Sequence, residues 1–159
     1  MNIKKLLLLV ISHASLGLAG FALGIYMLPI LTAPQAPSGG ALAIALKDSR
    51  YVAEMQKQRT DSDWLHWGQG KITLSDDFIV IQGKLAPGPD YRMYLSDTFI
   101  ETEQDFLAKK PNLVQVSQVP SFGTSIHALP AHINIEDYNT VIIWCEAFGQ
   151  YITSAQYKP

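Results

Sequence analysis

A single cysteine, Cys145, stands among 159 residues, so no disulfide can form within the chain. The same scarcity excludes CxxC zinc sites, CxxCH haem attachment and cysteine-ligated iron–sulfur clusters built from one chain. Basic blocks are missing as well. Twelve Lys and Arg are scattered among fourteen Asp and Glu, for a net charge of −2, which argues against a nucleic-acid surface. Hydrolytic machinery is lacking: there is no GxSxG elbow, no HExxH and no phosphate-binding glycine loop with lysine. The carboxylate pairs Asp76-Asp77 and Glu101/Glu103 fall at a turn and at a helix start, where solvation explains them. The expectation is a protein that is not an enzyme by itself.

Charge is also absent from a long stretch near the N-terminus. Lys4 and Lys5 precede it, and from Leu6 to Leu31 no residue is formally charged. About 25 residues at about 1.5 Å rise each cross the roughly 30 Å hydrocarbon layer. A cleaved signal peptide shares the charged start, but its apolar core is usually about 7–15 residues and ends at a small-x-small site. Here Pro34 and Pro37 stand where cleavage would occur, which favours a retained anchor over residues 1–31, in contact with lipid through 6–31. Lysines ahead of the helix, with none after it until Lys47, predict a cytoplasmic N-terminus and an extracytoplasmic domain, periplasmic or at the cell surface. Gly20-x-x-x-Gly24 matches a helix-pairing pattern, although glycine is common in membrane helices.

Residues 32–60 read as a Pro/Ser/Gly linker followed by a lead-in helix over Ala41–Gln58, with the globular domain over 61–159. From Trp64 the pattern changes to short alternating or apolar runs: 71–75, 78–85, 91–96, 113–119, 125–129, 140–146 and 150–157. Turn residues such as Asp76-Asp77 and Pro87-Gly88-Pro89-Asp90 separate them. The predicted fold is mainly β, an antiparallel sandwich or barrel with one short helix, preceded by a transmembrane helix. That short helix lies within Phe99–Lys110, capped by Thr102, stopped by Pro111, and docked through Phe106 and Leu107. Val141-Ile-Ile-Trp-Cys145 is apolar on both faces, which predicts a central strand with Trp144 and Cys145 pointing opposite ways.

Cys145 is the one redox candidate. Its neighbours are apolar apart from Glu146, an environment that raises a thiol pKa and favours an inert core cysteine. A lone thiol also needs a partner thiol, metal or cofactor to cycle two electrons. His66, His127 and His132 with Cys145 show no ligand spacing, and no metal site is expected. The aromatic set suits either a core or a pocket for a planar cofactor. The cofactor-binding candidates are Trp144, Tyr138, Phe148 and the turn residue Asp90; the cofactor itself is not specified.

Two strings carry a resemblance. Gly88-Pro-Asp-Tyr-Arg-Met-Tyr-Leu-Ser96 resembles the GPD-x-x-x-YLS turn and strand of the DM13 family, and Asp137-Tyr-Asn-Thr-Val-Ile-Ile-Trp-Cys-Glu-Ala-Phe148 resembles its YxxVxxWCxxF signature. Trp64-Leu-His-Trp-Gly-Gln-Gly70 is similar to the start of bacterial members. Together they span roughly Asp61–Tyr157. The family is similar to modules found beside DOMON and cytochrome b561 domains in larger eukaryotic proteins. The resemblance therefore implies an accessory in extracytoplasmic electron transfer through Cys145, with an envelope redox or protein partner. The alternative is a non-catalytic binding or scaffolding module at the cell envelope.

Overall fold

The computed structural model describes residues 2–159. Helix α1 (Ile3–Thr32) is long and apolar enough to cross a membrane. It begins at Asn2, whose side chain accepts from the Lys4 amide, and it holds Pro29 in its last turns. A short linker leads to α2 (Gly39–Leu46), capped by Ser38.

Eight strands follow: β1 (Tyr51–Met55), β2 (Gly68–Leu74), β3 (Phe78–Leu85), β4 (Tyr91–Ser96), β5 (Val114–Gln118), β6 (Ser125–Ala128), β7 (Thr140–Cys145) and β8 (Gln150–Gln156). They form two four-stranded sheets, β1-β2-β3-β6 and β5-β4-β7-β8, and every pairing is antiparallel. The fold is a sandwich-like, mainly β arrangement, as the alternation and turn spacing predict.

Strand alternation divides the apolar residues into two layers. Ile72, Leu74, Ile79 and Ile81 of the first sheet meet Met93, Leu95, Val141, Ile143 and Cys145 of the second in the main core. The opposite face of the second sheet carries Tyr94, Ile142, Trp144 and Tyr151, covered by α3 (Glu103–Lys109) through Phe106. Thr102 caps α3 by accepting from the Asp105 amide, and Glu103, Asp105 and Lys109 complement the helix dipole. Leu107, expected to dock beside Phe106, is instead more than half exposed, because it lies on the helix flank away from the sheet.

The lead-in differs from expectation. The helix stops at Leu46, and 51–55 is strand β1, paired from Tyr51↔Leu74 to Met55↔Gly70. Ala53 and Met55 face the core, while Val52 and Glu54 face solvent. That alternation of period two was masked by helix-favouring Ala, Glu, Met and Gln residues around it. The sandwich therefore begins ahead of Asp61.

Candidate functional site

Cys145 ends β7, the strand flanked by β4 and β8 and covered on both faces. Its side chain points inward and Trp144's points outward, as alternation requires. The thiol is 2 % exposed and donates to the Pro89 carbonyl at 3.0 Å.

The turn between β3 and β4 is built around this contact. The Tyr91 hydroxyl donates to the Ala86 carbonyl at 2.9 Å, and the Glu146 amide donates to the Asp90 carbonyl at 3.0 Å. Gly88 is required by packing, since a Cβ there would lie 2.5 Å from the Tyr91 hydroxyl. Asp90 adopts a left-handed φ of 51°, a conformation that Asp tolerates better than most residues, and its carboxylate accepts from Arg92 at 2.8 Å. Asp90 thus orders the turn through its carbonyl and its ion pair.

Beside the thiol lies a cavity of about 190 Å³. Cys145, Tyr91, Pro89 and Gly88 form one side, Leu65, His66 and Phe148 another, and Ala22, Ile25 and Tyr26 of α1 a third. Of the four cofactor-binding candidates, only Phe148 reaches this space. Trp144 is on the other face of the sheet, Tyr138 packs at the margin of the main core, and Asp90 lines a neighbouring groove beside the end of α1. The sequence sets His66 beside Cys145 only as a metal ligand without ligand spacing, and it gives no sign of Tyr91 as a neighbour; the structure brings both to the cavity. The spacing Asp63-x-x-His66 was the available signal: Asp63 accepts from the Leu65 and His66 amides at 2.6 Å, and its other oxygen meets His66 Nδ1 at 2.9 Å. Burial works against ionisation of Asp63, but these hydrogen bonds outweigh it and hold the carboxyl below its usual range.

Burial pushes the Cys145 thiol up from its ordinary value. The amides of Phe148 and Ala147 pull it partway back, and the Asp90 and Glu146 carboxylates add to the rise. The resting group is therefore a neutral thiol, small and apolar in character, with its reactivity set by access and by any proton acceptor brought to it.

The outward side of β7 is different in kind. Trp144 stacks on Phe106 with centroids 3.9 Å apart and planes 12° from parallel, and Tyr94 meets Phe106 edge-on at 5.3 Å. Glu146 accepts from the Tyr94 hydroxyl and from Lys110 Nζ, the latter at 2.6 Å, and the ammonium lies 5.9 Å from the Trp144 ring. Burial raises the Glu146 pKa, but the bonds from Lys110 and Tyr94 more than reverse this, and the carboxyl sits below its usual range. Burial, with the bond to Glu146 second, pushes the Tyr94 phenol well up.

Among the described residues, no group of three or more His, Cys, Asp and Glu is placed to hold a metal ion. His132 is exposed in a loop, and His127 is buried on β6 between Ser117 and Ser125, each hydroxyl 2.9 Å from one ring nitrogen. Neither histidine lines the cavity beside Cys145.

A family model described as Electron transfer DM13 matches residues 59–157. Searches of the curated proteins and of the solved structures each return no match.

Proposed function

Because the chain belongs to the DM13 family, described as an electron-transfer domain, we propose that it is a membrane-anchored, extracytoplasmic accessory to electron transfer, with Cys145 as its redox residue. In this reading α1 crosses the bilayer and remains attached, the lysines at its start stay in the cytoplasm, and the sandwich stands outside. The observation that carries the role of Cys145 is its position: the only thiol in the chain sits at the end of the main core, where it also lines the cavity beside α1. One thiol cannot complete a two-electron cycle, so the second redox centre belongs to a partner protein or to a bound cofactor.

The test is a difference spectrum, reduced minus oxidised, of the full chain isolated with its membrane partners. The expected result is a co-purifying redox chromophore whose reoxidation slows in Cys145→Ser. A colourless preparation, together with unchanged envelope redox behaviour in Cys145→Ser cells, overturns the reading.

A specific observation favours a second reading. The Cys145 thiol is buried and its pKa is raised, as for a structural cysteine. The domain then acts as a binding or scaffolding module, and the cavity beside Phe148 and Leu65 receives a ligand without chemistry at sulfur.

A further inference from the structure

Helix α1 has 30 residues. At about 1.5 Å per residue it is about 45 Å long, about 15 Å more than the hydrocarbon layer needs. Lys4 and Lys5 fix one boundary, since their charged heads belong among the headgroups. About 20 residues beyond Lys5 brings the helix to Ile25 and the opposite boundary.

The exposure pattern changes at that same residue. Every described residue from Asn2 to Gly24 is exposed, whereas Ile25, Met27 and Pro29 are half-buried. The helix thus begins to touch the sandwich where hydrocarbon ends. Farther along, Leu28, Pro29 and Thr32 border a groove with Gly88–Asp90 and Val119, so the emergent part of α1 runs beside the β3–β4 turn.

The Cys145 cavity lies at the lower end of this contact. Its α1 wall is Ala22, Ile25 and Tyr26, the boundary residues themselves. On the domain side, at the same level, stand Leu65 and Phe148, which are 39 % and 57 % exposed. Next to Leu65 is Trp64, 83 % exposed, on the turn that Asp63 braces. Val52 and Leu107 are exposed singly elsewhere on the domain, whereas Trp64 and Leu65 are adjacent and Leu65 shares the cavity lining with Phe148; such a group is costly in water, and Trp in particular favours interfacial depth.

We propose that Trp64, Leu65 and Phe148 insert into the headgroup region of the bilayer that α1 crosses, so that the Cys145 cavity opens at the lipid surface. The occupant of this apolar rim is lipid, because the rim is continuous with the spanning helix at the depth where that helix leaves hydrocarbon. A ligand of the cavity would then arrive along the membrane and be amphiphilic or lipid-soluble. This inference rests on the anchored reading above.

The experiment uses the full chain in vesicles of phosphatidylcholine brominated near the headgroup end of the acyl chains. Helix α1 contains no tryptophan, Trp144 is buried and Trp67 is half-buried, so quenching reports chiefly Trp64. The expected result is loss of emission in brominated relative to ordinary vesicles, abolished in Trp64→Phe and restored when Phe148→Trp is added to that variant. An alkaline carbonate wash is run in parallel. Protein retained by the wash whose Trp64 emission is unquenched overturns the inference while leaving the anchor in place, and an emission shift that instead follows protein concentration assigns the rim to a second copy. Release by the wash removes the anchored reading and this inference together.

Discussion

Trp144 and Cys145 are neighbours in sequence, yet they serve opposite sides of one strand in opposite ways. The Trp144 side is closed: a helix, a ring stack and an ion pair cover it, although the buried indole N–H has no partner. The Cys145 side is core for most of its length and ends in a cavity bounded partly by a separate helix. The first arrangement secures the fold. The second leaves one polarisable atom, the Cys145 sulfur, beside a cavity. Burial alone does not separate the two residues, since both are nearly inaccessible. What separates them is the covering element: α3 packs on Trp144 through Phe106, whereas the cavity beside Cys145 is walled in part by Ala22, Ile25 and Tyr26 of α1.

Truncation tests this contrast most severely. Trp144→Ala removes the stack under α3 and should destabilise by about 3–5 kcal/mol, measured as a lowered midpoint of denaturant unfolding. An effect under about 1 kcal/mol would show that the outer layer is not sealed as described.

Acid probes the inner layer next. Burial pulls the His127 pKa down to about 4, only partly offset by a backbone hydrogen bond with Gln118. The unfolded chain takes up this proton near pH 6.5, before the folded one does. Stability is therefore full above about pH 6.5 and falls as pH drops toward 4, by up to about 3 kcal/mol. His127→Gln should flatten that part of the stability–pH curve. A parallel decline in both proteins would locate the acid sensitivity elsewhere.

Cys145→Ala should cost about 1–2 kcal/mol, less than Trp144→Ala, because the sulfur already faces a cavity on one side. Near-equal costs for the two substitutions would erase the contrast. Smallest of all is Lys110→Met, which breaks a partly exposed ion pair and should cost about 0.5–1 kcal/mol, with the Glu146 carboxyl then titrating at higher pH in an NMR titration. An unchanged Glu146 titration would mean that the pair does not form in solution.

Much of this contrast was legible in the sequence. The run Val141–Cys145, apolar on both faces, predicts a central strand with Trp144 and Cys145 on opposite sides, and Thr102 with its trailing acids and lysines predicts the covering helix. Strand β1 was not legible, because five alternating residues are outweighed by helix-favouring neighbours. Leu107 misleads because apolar character does not say which side of a helix meets the core. The cavity was hidden for a different reason. Ile25, His66, Tyr91 and Cys145 are brought together from α1, a braced turn and two strands, and no local pattern encodes such a meeting. The serines around His127 and the Tyr94–Glu146–Lys110 cluster are tertiary in the same sense, as they pair residues far apart in the chain.

Native-state alkylation of Cys145 tests the central claim most directly, since the chain offers one thiol and mass spectrometry counts its modification without ambiguity. With the full chain in nanodiscs, a small neutral maleimide should modify Cys145 faster than the domain unfolds, with a rate that rises into alkaline pH, while a bulky polymer-linked maleimide should not. If both reagents react only at the rate of global unfolding, the thiol is sealed in the core and Cys145 has no redox role in the folded protein.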